Sequence, residues 1–169
     1  KITKKALRLH LQRLSNKAPG HDGIINIFLR KGGSYLESCL HDLFNCCLNS
    51  GYMPADWTIG CVVPSLKAGK PSSDAGSYRP ISLLATISKL LESILASFLA
   101  KFCEKRNIFP SHQAGFRRYH RTIDAIMRLV HDIAEGRAQE FQLVTVAAFI
   151  DFKSAFDSVW HNGLRLVLK

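Results

Sequence analysis

The stretch VTVAAFIDFKSAFDSVW, Val144 to Trp160, begins as an apolar run and then places Asp151 and Asp157 six positions apart, with Phe156 directly before the second. The run Phe141 to Ile150 predicts a strand covered on both faces. A carboxylate directly after such a strand lies at the C-terminal edge of a sheet, where open sheets place their sites. Hard divalent cations take oxygen ligands, and magnesium is usually held by one or two carboxylates together with substrate phosphates. Asp151 is therefore a candidate metal ligand. In the competing reading it caps the strand-to-helix turn or pairs with Lys153. The chain beyond turns into a helix, so Asp157 need not point at the same spot.

Around that stretch, 169 residues with 47% hydrophobic content supply one globular domain with a core and exclude a disordered tail. Lys and Arg number 23 against 13 Asp and Glu, a net charge of +10, which attracts polyanions. The bases cluster: Lys1, Lys4, Lys5, Arg8 and Arg13 open the chain, and Lys101, Lys105, Arg106, Arg117, Arg118, Arg121 and Arg128 crowd its middle. The five cysteines, Cys39, Cys46, Cys47, Cys61 and Cys103, form no C-x-x-C and read as small core residues in a reducing compartment. The histidines show no ligand spacing and sit beside no nucleophile. The start is charged throughout, unlike a secretory signal, and Ile81 to Ala100 contains Lys89 and Glu92, unlike a membrane span. The expected location is intracellular. Leu166 to Lys169 is still in an apolar pattern, as in a piece of something longer.

Helix and strand signals alternate along the chain. Ala6, Leu7, Leu11 and Leu14 mark one face of a first helix, and Ser15 to Gly23 is a loop by composition. Leu36, Leu40, Leu43, Cys47 and Leu48 recur at helical spacing before Gly51, a C-terminal cap. Trp57 to Leu66 reads as a strand, and Lys67 to Ser77 as an exposed loop. A long helix follows, N-capped by Thr86 and buried through Ile87, Leu90, Leu91, Ile94, Leu95, Phe98 and Phe102. After a loop over Asn107 to Arg121, another helix is buried through Ile123, Ile126, Met127, Val130 and Ile133.

FIDFKSAFDSVWH resembles the first palm motif of reverse transcriptases of non-LTR retrotransposons, of the LINE type and jockey-like. NKAPGHDGI (Asn16 to Ile24), LKAGKPSSDAGSYRPISLLATISKLLE (Leu66 to Glu92) and HQAGFRRYHRTIDAI (His112 to Ile126) resemble the preceding motifs, in the family's order. These blocks cover most of the chain.

The resemblance implies an α+β right-hand polymerase fold, truncated, with fingers over about residues 1–140 and the start of the palm over about 141–169. It implies RNA-directed DNA polymerisation, with deoxynucleotides added to a primer 3′-hydroxyl on an RNA template through two magnesium ions, manganese being a substitute. Asp151 matches the first catalytic, metal-binding aspartate, and the carbonyl of Phe152 the position that helps hold the nucleotide's metal. Phe156 matches the aromatic gate that rejects a 2′-hydroxyl; Asp157 is characteristic of the motif without being a ligand. Lys67 and Arg79 match the bases that contact the incoming triphosphate, and Lys70 shares the role of Lys67 as a secondary candidate. Gln113, Gly115, Phe116 and Arg117 match the block beside the template and nascent base pair.

Arg121 stands where the family usually has a small residue, and Ala68 where proline is common. The aromatic-x-Asp-Asp motif that supplies the remaining metal ligands is absent after Asp151, so the chain alone is expected not to polymerise. Without its hairpin partner, the strand Phe141 to Ile150 is expected to leave an unpaired edge. The other readings are a basic RNA-binding module and a non-functional retroelement relic.

Overall fold

The N-terminus is anchored before the first helix begins. Ile2, fully buried, donates its N–H to Asn45 Oδ1 at 2.8 Å and accepts from Asn45 Nδ2 at 3.0 Å. Asn45 thus serves both backbone groups of a residue cut off from water, groups that are costly to leave unmade. The next residue, Thr3, caps helix α1 (Lys4–Gln12), its hydroxyl accepting from Ala6 N at 3.2 Å. The computed structural model describes residues 1–138, 144–152 and 155–168.

The described residues divide into two units, Lys1–Phe109 and Pro110–Lys169. In the first, α1 is followed by α2 (Asn26–Lys31), α3 (Gly33–Ser50), strand β1 (Cys61–Leu66), strand β2 (Tyr78–Leu83) and α4 (Thr86–Lys105). The apolar spacing of α1, α3 and α4 lays Leu7, Leu11, Leu40, Phe44, Leu90, Leu91 and Ile94 into one core with Ile2 and Leu29. Each such large side chain contributes about 1.5–3 kcal/mol on burial. Gly51 ends α3 with φ +67, the left-handed cap its position predicts. Arg8 forks onto Glu37 at 3.0 Å, tying α1 to α3; the bond and the carboxylate's charge raise the guanidinium pKa above its ordinary value.

The expected strand over Trp57 to Leu66 begins later. Ala55–Thr58 is a 3₁₀ turn, and Trp57 packs edge-on against Phe44 with ring centroids 6.2 Å apart. Only Cys61–Leu66 enters the ladder. Its partner β2, within the unassigned YRPISLL, pairs antiparallel with Cys61 opposite Leu83, Ser65 opposite Arg79 and Leu66 opposite Tyr78. Lys67 N donates to Ser77 O at 2.8 Å, extending the same register by one bonded pair. Pro64 therefore faces Pro80 at a non-bonded pair, where amides point outward, so neither proline removes a ladder bond.

Thr86 does not cap α4. It is the helix's first residue, and the cap comes from Asp22, whose Oδ2 accepts Thr86 N at 3.2 Å while the Thr86 hydroxyl donates to Ile24 O at 2.6 Å. The C-terminal half of the expected buried stripe is also corrected. Phe98 and Phe102 are 39% and 54% exposed, because α4 runs past the core, and Phe102 lies under the Arg106 guanidinium instead. The cysteines are free; Cys47 is buried, Cys103 half-buried, and Cys39, Cys46 and Cys61 are exposed, against the expectation of core positions.

The second unit holds α5 (Thr122–Ala138) and α6 (His161–Val167). Arg121 has no oxygen with which to cap α5, but Asp124 reaches back to accept Arg121 N at 2.6 Å, half of a capping box. The predicted buried face of α5 is half exposed at Ile123, Ile126, Met127 and Val130, because the unit's other described helix is seven residues long and covers little. The predicted strand Phe141 to Ile150 lies partly outside the described residues. Its described part, Val144 to Ile150, is exposed and forms no strand. A strand exists only with a partner, and among the described residues β1 and β2 pair only with each other.

Candidate functional site

The candidate residues fall into separate local arrangements. In the first unit, Lys67 follows β1 and Arg79 is the second residue of β2. With Ser65 opposite Arg79 and Lys67 opposite Ser77, the two bases are diagonal neighbours on one face of the hairpin. Lys67 Nζ donates to Gly76 O at 2.7 Å, whereas the exposed Arg79 guanidinium makes no bond within the described residues. The turn is held by Asp74 Oδ1 accepting from Gly76 N at 2.9 Å and by the Tyr78 hydroxyl donating to Ser72 O at 3.0 Å. An ammonium and a fork-shaped guanidinium side by side can grip phosphate oxygens. Lys70, whose N–H bonds Lys67 O, belongs to the same exposed turn.

The stem of the hairpin is located by residues to which the sequence reading assigned no role. A Cβ on Gly20 would lie 2.4 Å from Leu84 O, so the PGHDG loop touches the backbone that joins β2 to α4. Asp22, two residues later, divides its carboxylate between Ile24 N at 3.2 Å and Thr86 N at 3.2 Å. Asp-Gly in a loop signals only a turn; the partner lies far along the chain and leaves no local trace.

In the second unit, Gln113, Gly115, Phe116 and Arg117 form one tight turn. Gln113 N bonds Pro110 O at 3.0 Å and Gln113 Nε2 donates to Gly115 O at 3.3 Å. Arg117 cinches the turn by donating to Pro110 O at 3.0 Å and Gln113 O at 3.2 Å. Phe116 adopts φ +59, unusual for a bulky residue, and the residue is 96% exposed. That ring meets Phe156 edge-on, with centroids 6.2 Å apart and planes at 88°. The structure thus brings together residues from two separately predicted motifs.

Asp151 and Phe152 are both exposed and follow the exposed Val144–Ile150 segment directly. The alternative pairing of Asp151 with Lys153 falls outside the described residues. No cluster of three or more His, Cys, Asp or Glu occurs among the described residues. In kind, an accessible carboxylate beside a main-chain carbonyl fits a hard cation that takes its other ligands from elsewhere. Among the described residues, no helix is long and apolar enough to cross a membrane.

A family model described as Reverse transcriptase (RNA-dependent DNA polymerase) matches residues 67–167. The chain is 37% identical over 159 residues to "Probable RNA-directed DNA polymerase from transposon X-element" of Drosophila melanogaster, covering 94% of this chain and 17% of the relative. It is 36% identical over 148 residues to "RNA-directed DNA polymerase from mobile element jockey" of the same species, covering 88% and 16%. A further relative is "Retrovirus-related Pol polyprotein from type-1 retrotransposable element R1" of Bradysia coprophila, 31% identical over 154 residues, covering 90% and 15%. The chain spans about a sixth of the length of these curated relatives. It belongs to the reverse transcriptase family.

Proposed function

We propose that, as a member of this family, the chain supplies part of an RNA-directed DNA polymerase of a non-LTR retrotransposon. It would form the fingers over about residues 1–140 and the beginning of the palm over about 141–169, working on an RNA template, a DNA primer and deoxynucleoside triphosphates inside the cell. The single observation that carries this is the family match over 67–167, which encloses every candidate site residue in one stretch.

In this reading the Asp151 carboxylate and the Phe152 carbonyl hold magnesium, or manganese in its place. The bound ions supply Lewis-acid stabilisation of the attacking and leaving oxygens. Arg79 forks onto the triphosphate and Lys67 leaves Gly76 O to join it, a grip suited to release as pyrophosphate. Phe156, steadied edge-on by Phe116, lies against the sugar and rejects a 2′-hydroxyl. The Gln113–Arg117 turn brings backbone close to the template.

The test is primer extension by the complete polymerase bearing Asp151→Asn. Loss of incorporation with RNA binding retained supports the reading. Undiminished incorporation refutes it. The 169 residues contain no adjacent Asp-Asp pair, and one carboxylate does not hold two ions, so the purified chain alone is expected to show no extension. The net charge of +10 leaves RNA binding as the activity that this chain alone retains, and Asp151→Asn should not alter it.

A further inference from the structure

Away from all these residues, a cavity of about 250 Å³ opens in the first unit between the end of α1, the loop that follows it and the first turns of α4. Four basic side chains line it: His10 and Arg13 from α1 and its C-terminal end, Lys17 from the loop, and Lys89 from α4. Asn26 and Ser93 add polar atoms, and no carboxylate is among the lining residues. Arg13, Lys17 and Lys89 carry positive charge there with no opposite charge among the lining residues, a potential that favours an anionic group.

The local bonding makes that point sharper. Among the described residues, the side chains of Arg13, Lys17 and Lys89 make no ion pair or hydrogen bond, whereas nearby Arg8 is forked onto Glu37 and Arg30 is bonded to Leu14 O. Two acids carried by the flanking loop and by α4 are already engaged. Asp22 serves the amides of Ile24 and Thr86, and Glu92 accepts from Ser88 at 3.0 Å. His10 Nδ1 lies 3.1 Å from Ser93 Oγ, which fixes the ring at the cavity wall. The cavity is smaller than the roughly 300–1,000 Å³ that holds a drug-sized ligand, so it suits a compact group and not a base with its sugar.

We propose that this cavity is a phosphate-binding site, taking a phosphate group through Arg13, Lys17 and Lys89, with His10 and Asn26 at its wall. The same chemistry is offered by a nucleic-acid backbone and by free phosphate or nucleotide. The site rests on the cavity alone and stands whether or not the polymerase reading holds.

The experiment compares the unmodified chain with two triple variants of equal charge. One removes the cavity bases (Arg13→Gln, Lys17→Gln, Lys89→Gln), and the other removes exposed bases elsewhere (Lys5→Gln, Lys31→Gln, Lys105→Gln). Binding of a single-stranded 12-mer RNA is read by fluorescence anisotropy across a salt series, and the His10 ring resonances of the unmodified chain are followed during titration with RNA, inorganic phosphate and a deoxynucleoside triphosphate. The cavity variant is expected to bind RNA about tenfold more weakly than the control, with a salt slope shallower by about 0.7 for each phosphate it no longer neutralises. That result, with His10 moving on RNA addition, assigns a backbone phosphate. Equal RNA losses, with His10 moved by phosphate or triphosphate alone, assign a free phosphate ligand. Equal losses with His10 unmoved by all three probes overturn the site, and this NMR arm decides even if the triple variant fails to fold.

Discussion

Asp22 caps a helix that begins 64 residues further along the chain: its Oδ2 accepts the N–H of Thr86 while its Oδ1 accepts that of Ile24. One short loop is thereby fastened to the start of α4 by a charge-assisted bond at the positive end of the helix. Asp22→Ala is expected to cost about 1–2 kcal/mol, and Asp22→Asn less, because an amide oxygen still accepts. Urea unfolding with a shared slope measures both, and an unchanged midpoint for the alanine variant would show that water replaces the cap.

Gly20 should be harder to replace than Gly69. A methyl group at Gly20 meets Leu84 O, Leu84 C and Ala85 N within 2.7 Å, all of it backbone, so β2 and α4 must shift to admit it. Gly69 has φ +71 and open space around it, so an alanine there meets only the left-handed penalty. Gly20→Ala is expected to cost about 1–3 kcal/mol by overpacking. Gly69→Ala should cost about 1–2 kcal/mol. Thermal unfolding of the two variants side by side settles the order, and equal losses would contradict the close approach.

The helices α1, α3 and α4 are legible in the sequence because periodic apolar residues such as Leu7, Leu40 and Leu90 report burial locally, and Gly51 reports a stop. The features that differ depend on distant partners. Thr86 has the chemistry of a cap, but Asp22 reaches the position first. Val144 to Ile150 has the composition of a buried strand, but composition does not supply a neighbour to pair with. Of the candidate site, the motifs gave the residues, while the Phe116–Phe156 contact and the support of the hairpin stem by Gly20 became visible only in three dimensions.

Phe116 and Phe156 should be energetically coupled. Edge-to-face rings are worth about 0.5–1.5 kcal/mol beyond area burial, and two rings this exposed belong at the low end. A double-mutant cycle with Phe116→Leu and Phe156→Leu is expected to return a coupling near 0.5 kcal/mol. Strict additivity of the two losses would sink the contact.

Stability should respond to His10 on the acidic side. Burial lowers its pKa from the ordinary value, and the charges of Arg13 and Lys101 lower it further. The unfolded chain therefore takes up the proton more readily than the folded one. Above the unfolded value, about 6.5, both states are neutral there and His10 contributes nothing to pH dependence. As pH falls through that value, proton uptake favours unfolding. Between about pH 7.5 and 5.5 the unfolding midpoint of the chain should fall further than that of His10→Gln. Parallel pH profiles for the two proteins would contradict the lowered pKa.

Pro64 and Pro80 face each other at the middle of the hairpin, at a pair whose amides would point away from the ladder. Both outer rims of the ribbon accordingly lack a donor at the same level. An extended peptide, or a second copy of the hairpin, that tried to add itself as a third strand would find one carbonyl unanswered there, whichever side it chose. That gap disfavours recognition by strand addition, and the arm resists the edge-to-edge stacking by which short exposed ribbons seed aggregates.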